Sequence, residues 1–142
     1  MSKSLGNMIR IRDTLREYAP SDLRYYFASI HYRDTVSISD LALKRARNQL
    51  KALQKNYNNF HFLQPGTDAS NAERMNFLRR AELEFTRHMD DDFNTARALR
   101  VLTDLARKLS LLARTGRGID QKSKDKAEQR FRRMADVFGI LS

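Results

Sequence analysis

The sequence predicts an all-α protein: an antiparallel helical bundle preceded by a short loop and a small helical connective segment. Three observations carry that expectation. Apolar residues beyond position 39 recur at intervals of three and four, the period that lays one stripe along an α-helix. No strand-like alternation of apolar and polar residues competes over that stretch. The stripes are separated by short runs rich in Gly, Pro, Asp, Asn and Ser, which end one helix and cap the next.

In chain order, Met1 to Asn7 read as a polar loop built around one lysine, Lys3. Ile9, Ile11 and Leu15, with Asp13 and Thr14, suggest a short strand or turn entering a helical turn that stops near Ala19 and Pro20, because proline forbids simple continuation. Ser21 or Asp22 is expected to cap a short amphipathic helix carrying Leu23, Tyr26, Phe27 and Ile30, reaching to about Tyr32. Residues 33–39 are too polar and β-branched to extend it, and Ser39 is the expected N-cap of the next helix. A boundary is therefore expected there, between a lead-in over 1–38 and a bundle over 39–142.

The first bundle helix is expected from 40 to about 63, with Leu43, Ala46, Leu50, Leu53, Tyr57 and Phe60 on one stripe. A turn over 64–70 leads to a second helix starting at Ser70 or Asn71, with Met75, Leu78, Ala81, Phe85 and Met89 inward. The third comes after Asp90 to Thr95 and shows Ala98, Leu102, Leu105, Leu109 and Leu112; residues 115–118, with two glycines, end it. The fourth runs from about 121 to 138 with Ala127, Phe131, Met134 and Phe138 on one face. Single stripes of this kind must bury against one another.

The 142 residues suffice for one modest core. No run of about 18 apolar residues could span a bilayer and no secretory signal opens the chain, so a soluble protein without membrane contact is expected. Zero cysteines exclude a disulfide or thiolate zinc site within these residues, and the three histidines are too scattered to hold a metal by spacing. Lys and Arg number 27 against 17 Asp and Glu, a formal net charge of +10. Such an excess favours a polyanion, with nucleic acid the leading partner, because phosphate contacts release condensed counterions. Arg10, Arg12, Arg16 and Arg24 cluster on the lead-in, and Lys44, Arg45, Arg47, Lys51 and Lys55 lie along the polar side of the long helix. Arg10, Arg12, Arg33, Lys44, Arg47 and Lys51 are the candidate nucleic-acid contacts; Arg130, Arg132 and Arg133 read as a solvated helix face.

Three consecutive carboxylates, Asp90, Asp91 and Asp92, invite a metal reading, but they converge on one ion only in a sharply turned loop, and no metal site is assigned. A helix start explains them better: Asn94 or Thr95 caps the exposed amides and the carboxylates sit near the positive end of the dipole. Phe93 is expected to anchor that turn in the core.

The runs MSKSLGN, IRIRD, SDLRYYFASIHYR and MDDDFNTARAL, in that order, resemble the class I cysteinyl-tRNA synthetases. Those enzymes carry a K-M-S-K-S loop with L-G-N, an I-R-D segment, an L-R-Y-F helix ending in H-Y-R, and a D-D-D-F-N-T-P turn opening a bundle helix. The resemblance implies that this chain is the C-terminal part of such an enzyme, from the K-M-S-K-S loop through the helical tRNA-binding domain. Lys3 then matches the motif's second lysine, which contacts ATP phosphates during adenylate formation, with Ser2 and Ser4 as the loop serines; the first motif lysine falls before Met1. The partners implied are cysteine-specific tRNA and an N-terminal catalytic domain that is missing from this chain, the latter holding the family's zinc site and the rest of the ATP site. ATP with magnesium is the implied cofactor, in a cytoplasmic monomer. By itself this stretch is expected to be inactive. At Ala96 the chain departs from the family's proline, which loses some rigidity without opposing a cap. His31, Tyr32 and Arg33 match H-Y-R and either meet tRNA or pin the lead-in to the bundle. Two rivals are the related ligase joining cysteine to an amino-sugar in mycothiol synthesis and a free-standing basic RNA-binding module.

Overall fold

The computed structural model describes residues 10–66, 75–115 and 119–141, which form six helices and, among those residues, no strand. Helix α1 is a single turn, Ile11–Thr14; α2 spans Pro20–Ala28, α3 Asp40–His61, α4 Asn76–Asp90, α5 Thr95–Arg114 and α6 Gln121–Asp136. The predicted loop, with Ser2, Lys3 and Ser4, lies outside the described residues, as does the expected start of the second bundle helix.

Local chemistry sets most boundaries. Helix α2 begins at Pro20 itself, so neither Ser21 nor Asp22 is its N-cap: the ring fixes the φ that a first helical residue needs. Asp22 instead sits in the first turn and accepts a hydrogen bond from the Ala19 amide at 3.0 Å. The helix stops at Ala28, four residues short of expectation, where the Ser29 hydroxyl turns back to the Tyr26 carbonyl at 2.6 Å and competes with the helical ladder. Ser39 caps α3 as expected, accepting from the Ala42 amide at 3.2 Å. Asn94 caps α5 through the Arg97 amide at 3.2 Å, and Asp120 caps α6 through the Ser123 amide at 2.7 Å.

The bundle helices run alternately up and down. Asn59 near the end of α3 donates to Ser110 near the end of α5, at 3.0 Å, so these two run in the same direction. Helix α6 runs against α3: His61 meets Glu128, Tyr57 stacks on Phe131 at 4.6 Å between centroids, and Gln54 donates to the Ile140 carbonyl. The most extensive packing joins α5 to α3 and to α4, which places α5 centrally. Accordingly Ala98, Leu102, Ala106 and Leu109 on α5 are fully buried. Every stripe residue predicted inward on α3 and α6 is buried, while Met89 and Leu112 are partly covered.

The lead-in shares this core. Tyr18, Leu23, Tyr25 and Tyr26 belong to the same buried cluster as the bundle residues, and α2 packs chiefly on α3. Tyr26 donates to the Ser37 carbonyl at 2.8 Å, tying α2 to the link that follows it, and Tyr18 donates to the Asp40 carboxylate at 2.5 Å, tying the residues before α2 to the start of α3.

Candidate nucleic-acid interface

The α4–α5 turn is built from two residues in the left-handed region, Asp92 (φ 56°) and Phe93 (φ 48°). The Phe93 amide donates to the Met89 carbonyl and the Asn94 amide to the His88 carbonyl, closing the open end of α4. This geometry throws Phe93 outward, 68% exposed, so it does not anchor the turn in the core. It also corrects the expected use of the acidic run: Asp90 ends α4, Asp91 is its C-cap, and Asp92 faces the lead-in.

There the Asp92 carboxylate accepts from the Tyr32 hydroxyl at 2.5 Å and takes a two-pronged grip from Arg33, Nε to Oδ2 at 2.9 Å and Nη2 to Oδ1 at 3.1 Å. Arg33 Nε also donates to the Tyr32 oxygen, and His31 stacks on Tyr32 with its Nε2 4.0 Å from Asp92. The Tyr32 hydrogen bond, aided by Arg33, holds the Asp92 carboxyl below the usual carboxylate range and, with Asp92, pushes the Arg33 guanidinium up. Of the two readings left open for His31, Tyr32 and Arg33, the contacts made are those that pin the lead-in to the bundle.

The other predicted cations divide by what they touch. Arg47 is spent on structure: its Nε lies 3.2 Å from the buried Asp22 carboxylate, its guanidinium stacks over the Tyr18 ring at 4.2 Å, and it donates to the Glu17 carbonyl. Lys44 pairs with Asp40 at 2.7 Å but keeps more than half of its side chain in solvent. Asp40 also accepts from Tyr18, whose phenol it raises from its ordinary value to about 12. Arg24 donates to the Gly139 carbonyl at 3.2 Å. Arg10, Arg12 and Lys51 are exposed, with no ion pair among the described residues. Two arginines read as solvated are engaged: Arg130 pairs with Glu82 at 3.0 Å and Arg132 donates to the Tyr57 hydroxyl at 2.9 Å.

Two grooves flank α5, and sequence reasoning missed both. One, of about 460 Å³ between α4 and α5, is lined by Arg80, Arg97, Arg100 and Lys108 together with Glu84 and Asp104. None of those four cations has an ion-pair partner among the described residues. The other, of about 560 Å³ between α3 and α5 and closed at one side by α2, is lined by Gln49, Ala52, Asn56, Ala96, Thr103 and the Arg107–Asp104 ion pair, with Arg100 and Asp104 shared between the two. The spacing of Arg97 and Arg100, and of Gln49 and Asn56, puts each pair on one helix face and was the available signal. Among the described residues no group of three or more His, Cys, Asp or Glu could hold a metal, and no helix is long and apolar enough to cross a membrane.

Comparison with known families gives this arrangement a context. Residues 1–48 match the catalytic domain of class I (C) tRNA synthetases and residues 84–142 match the DALR domain. Arg33 therefore lies in the first match and Asp92 in the second. The chain is 35% identical over 143 residues to a cysteine–tRNA ligase of Anoxybacillus flavithermus, covering 99% of this chain and 30% of that protein. It is 39% identical over 145 residues to cysteine–tRNA ligase 1 of Photobacterium profundum, covering 100% of this chain and 29% of that protein. A Geobacillus thermodenitrificans cysteine–tRNA ligase is 39% identical over 114 residues, 78% of this chain and 24% of that protein. The chain thus spans less than a third of the length of these relatives. In sequence it belongs to the cysteine–tRNA ligase family of class I synthetases, in the stretch that joins the catalytic-domain match to the DALR domain.

Proposed function

We propose that this chain supplies the tRNA-binding helical part, and the lysine of the ATP loop, to the ATP-dependent joining of cysteine to its tRNA. The observation that carries the reading is the Arg33–Asp92 pair, because it couples the segment matching a catalytic domain to the segment matching the DALR domain. A bundle held in this way transmits the position of a bound tRNA to the loop bearing Lys3. In this proposal Lys3, with Ser2 and Ser4, contacts the phosphates of magnesium-bound ATP as negative charge grows in adenylate formation. Exposed Arg10, Arg12, Lys44 and Lys51 meet the tRNA backbone, while Arg33 and Arg47 keep the scaffold in register. The working protein is a cytoplasmic monomer whose catalytic chemistry and zinc site reside in a domain outside these residues. The relatives' names favour this over the amino-sugar ligase and over a free-standing module.

Cysteine-dependent pyrophosphate exchange and tRNA binding, measured on the 142-residue chain, test the proposal. No exchange above background is expected, together with tRNA binding whose affinity falls steeply between roughly 50 and 200 mM salt and depends little on tRNA identity. Exchange by the chain alone, or salt-insensitive binding, would overturn it.

A further inference from the structure

The α3–α5 groove has features that a merely solvated seam between helices lacks. Its floor is apolar: Leu53, Leu99 and Tyr25 line it and are all at least nine-tenths buried. Its walls are cut low by Ala52 and Ala96, whose methyl groups leave the space between α3 and α5 open. Gln49 and Asn56 stand on its α3 side two helical turns apart, roughly 10 Å along the axis, and neither amide makes a hydrogen bond within the described residues. An unused amide presents a donor and an acceptor side by side, the pattern that pairs with a base edge. Arg100, exposed and without an ion pair, stands on the crest between this groove and the cationic α4–α5 groove. An apolar slot rimmed by amides, with the Asp104 carboxylate on its rim neutralised by Arg107 and Arg100 left to meet an anion, on a chain of net charge +10, suits an unstacked base with its phosphate. A duplex would present its bases already paired and stacked.

We propose that the α3–α5 groove is a binding site for single-stranded RNA, seating a base over Leu53, Leu99 and Tyr25, reading its edge with Gln49 and Asn56, and holding its phosphate with Arg100. The proposal rests on the tRNA-binding reading above and adds to it the site and the strandedness of the RNA taken there.

The test is fluorescence anisotropy on the full 142-residue chain with labelled eight-nucleotide homopolymers of U, C and A, and with a twelve-base-pair RNA duplex as competitor. Single strands are expected to bind at least about fivefold more tightly than the duplex. Ala52→Phe, which fills the groove from an exposed position, should weaken single-strand binding about tenfold or more. Gln49→Ala with Asn56→Ala should even out the ranking of the homopolymers while leaving the salt slope unchanged. Arg100→Gln should weaken all of them and reduce the slope by about one. The amide and arginine variants lie on solvent-facing helix positions, so they decide the matter even if Ala52→Phe does not fold. Salt-dependent RNA binding that the groove variants leave within twofold of the parent, or equal affinity for the duplex, would overturn the groove site and leave the tRNA reading standing. Displacement of the homopolymers by polyglutamate, restored by Gln49→Ala with Asn56→Ala, would overturn it in favour of an acidic peptide. Absence of RNA binding in the parent chain would overturn both.

Discussion

Arg33 and Asp92 meet across 59 positions of chain as a two-pronged guanidinium–carboxylate pair, with the Tyr32 hydroxyl donating to the same carboxylate. Both side chains are substantially exposed, 68% for Arg33 and 42% for Asp92, so the value of the pair lies in geometry more than in bulk stability. It fixes where the lead-in leaves the bundle.

The pair should be visible in titration. A carboxyl held low in the folded state stabilises the fold above its ordinary pKa, and that contribution is lost as pH falls through the lowered folded value. Carbon-detected NMR should therefore place the Asp92 midpoint below the usual carboxylate range. Because the Tyr32 hydrogen bond is the leading cause, Tyr32→Phe should move that midpoint upward more than any change at His31. A normal midpoint, indifferent to Tyr32→Phe, would show that the pair does not persist in solution.

Asn94 is expected to matter as a cap and its acidic neighbour Asp91 is not. Asn94→Ala leaves the Arg97 amide without its acceptor and should cost about 1 kcal/mol in urea unfolding. Asp91→Asn should change stability by less than about 0.5 kcal/mol. EDTA or added magnesium should leave both curves in place; a divalent-dependent shift abolished by Asp91→Asn would mark the turn as a metal loop.

Arg47 and Lys51 lie one helical turn apart on α3 and should fail in opposite ways. Arg47→Ala leaves the buried Asp22 carboxylate its bond from the Ala19 amide but no charge partner, and should destabilise the fold by about 1–3 kcal/mol. Lys51→Ala should leave the melting temperature unchanged, weaken tRNA binding, and lower the salt slope by about one. Paired melting and binding curves on the two variants check this.

In the proposed function Lys3 would act in catalysis only within a full-length ligase. There Lys3→Ala should slow cysteine-dependent pyrophosphate exchange by about 100- to 1000-fold, the scale for losing one charge contact made in the transition state, while tRNA affinity is unchanged. A fall in tRNA affinity without loss of exchange would place this lysine on the RNA instead.

Much of the molecule was legible from residue order alone, because helix formation, capping and burial are settled within a turn or two of chain. The three- and four-residue spacing marked Leu50, Leu53, Phe60 and Phe131 as core, and side chains that satisfy free amides marked Ser39, and Asn94 or Thr95, as caps, of which the structure uses Ser39 and Asn94. What each cation does was not legible. Arg47 and Lys51 look alike as positive charges on the polar side of one helix, yet one is held by Asp22, 25 positions away, and the other is open to solvent. Tertiary packing alone decided that difference, and it alone turned Asp92 from a residue at a helix start into the holder of Arg33. Phe93 points outward for a related reason: two left-handed residues in succession direct its ring away from the core, and composition carries no sign of that backbone. The grooves beside α5 obey the same rule, since periodicity assigns each residue to a face but the space left between two faces depends on how the helices pack.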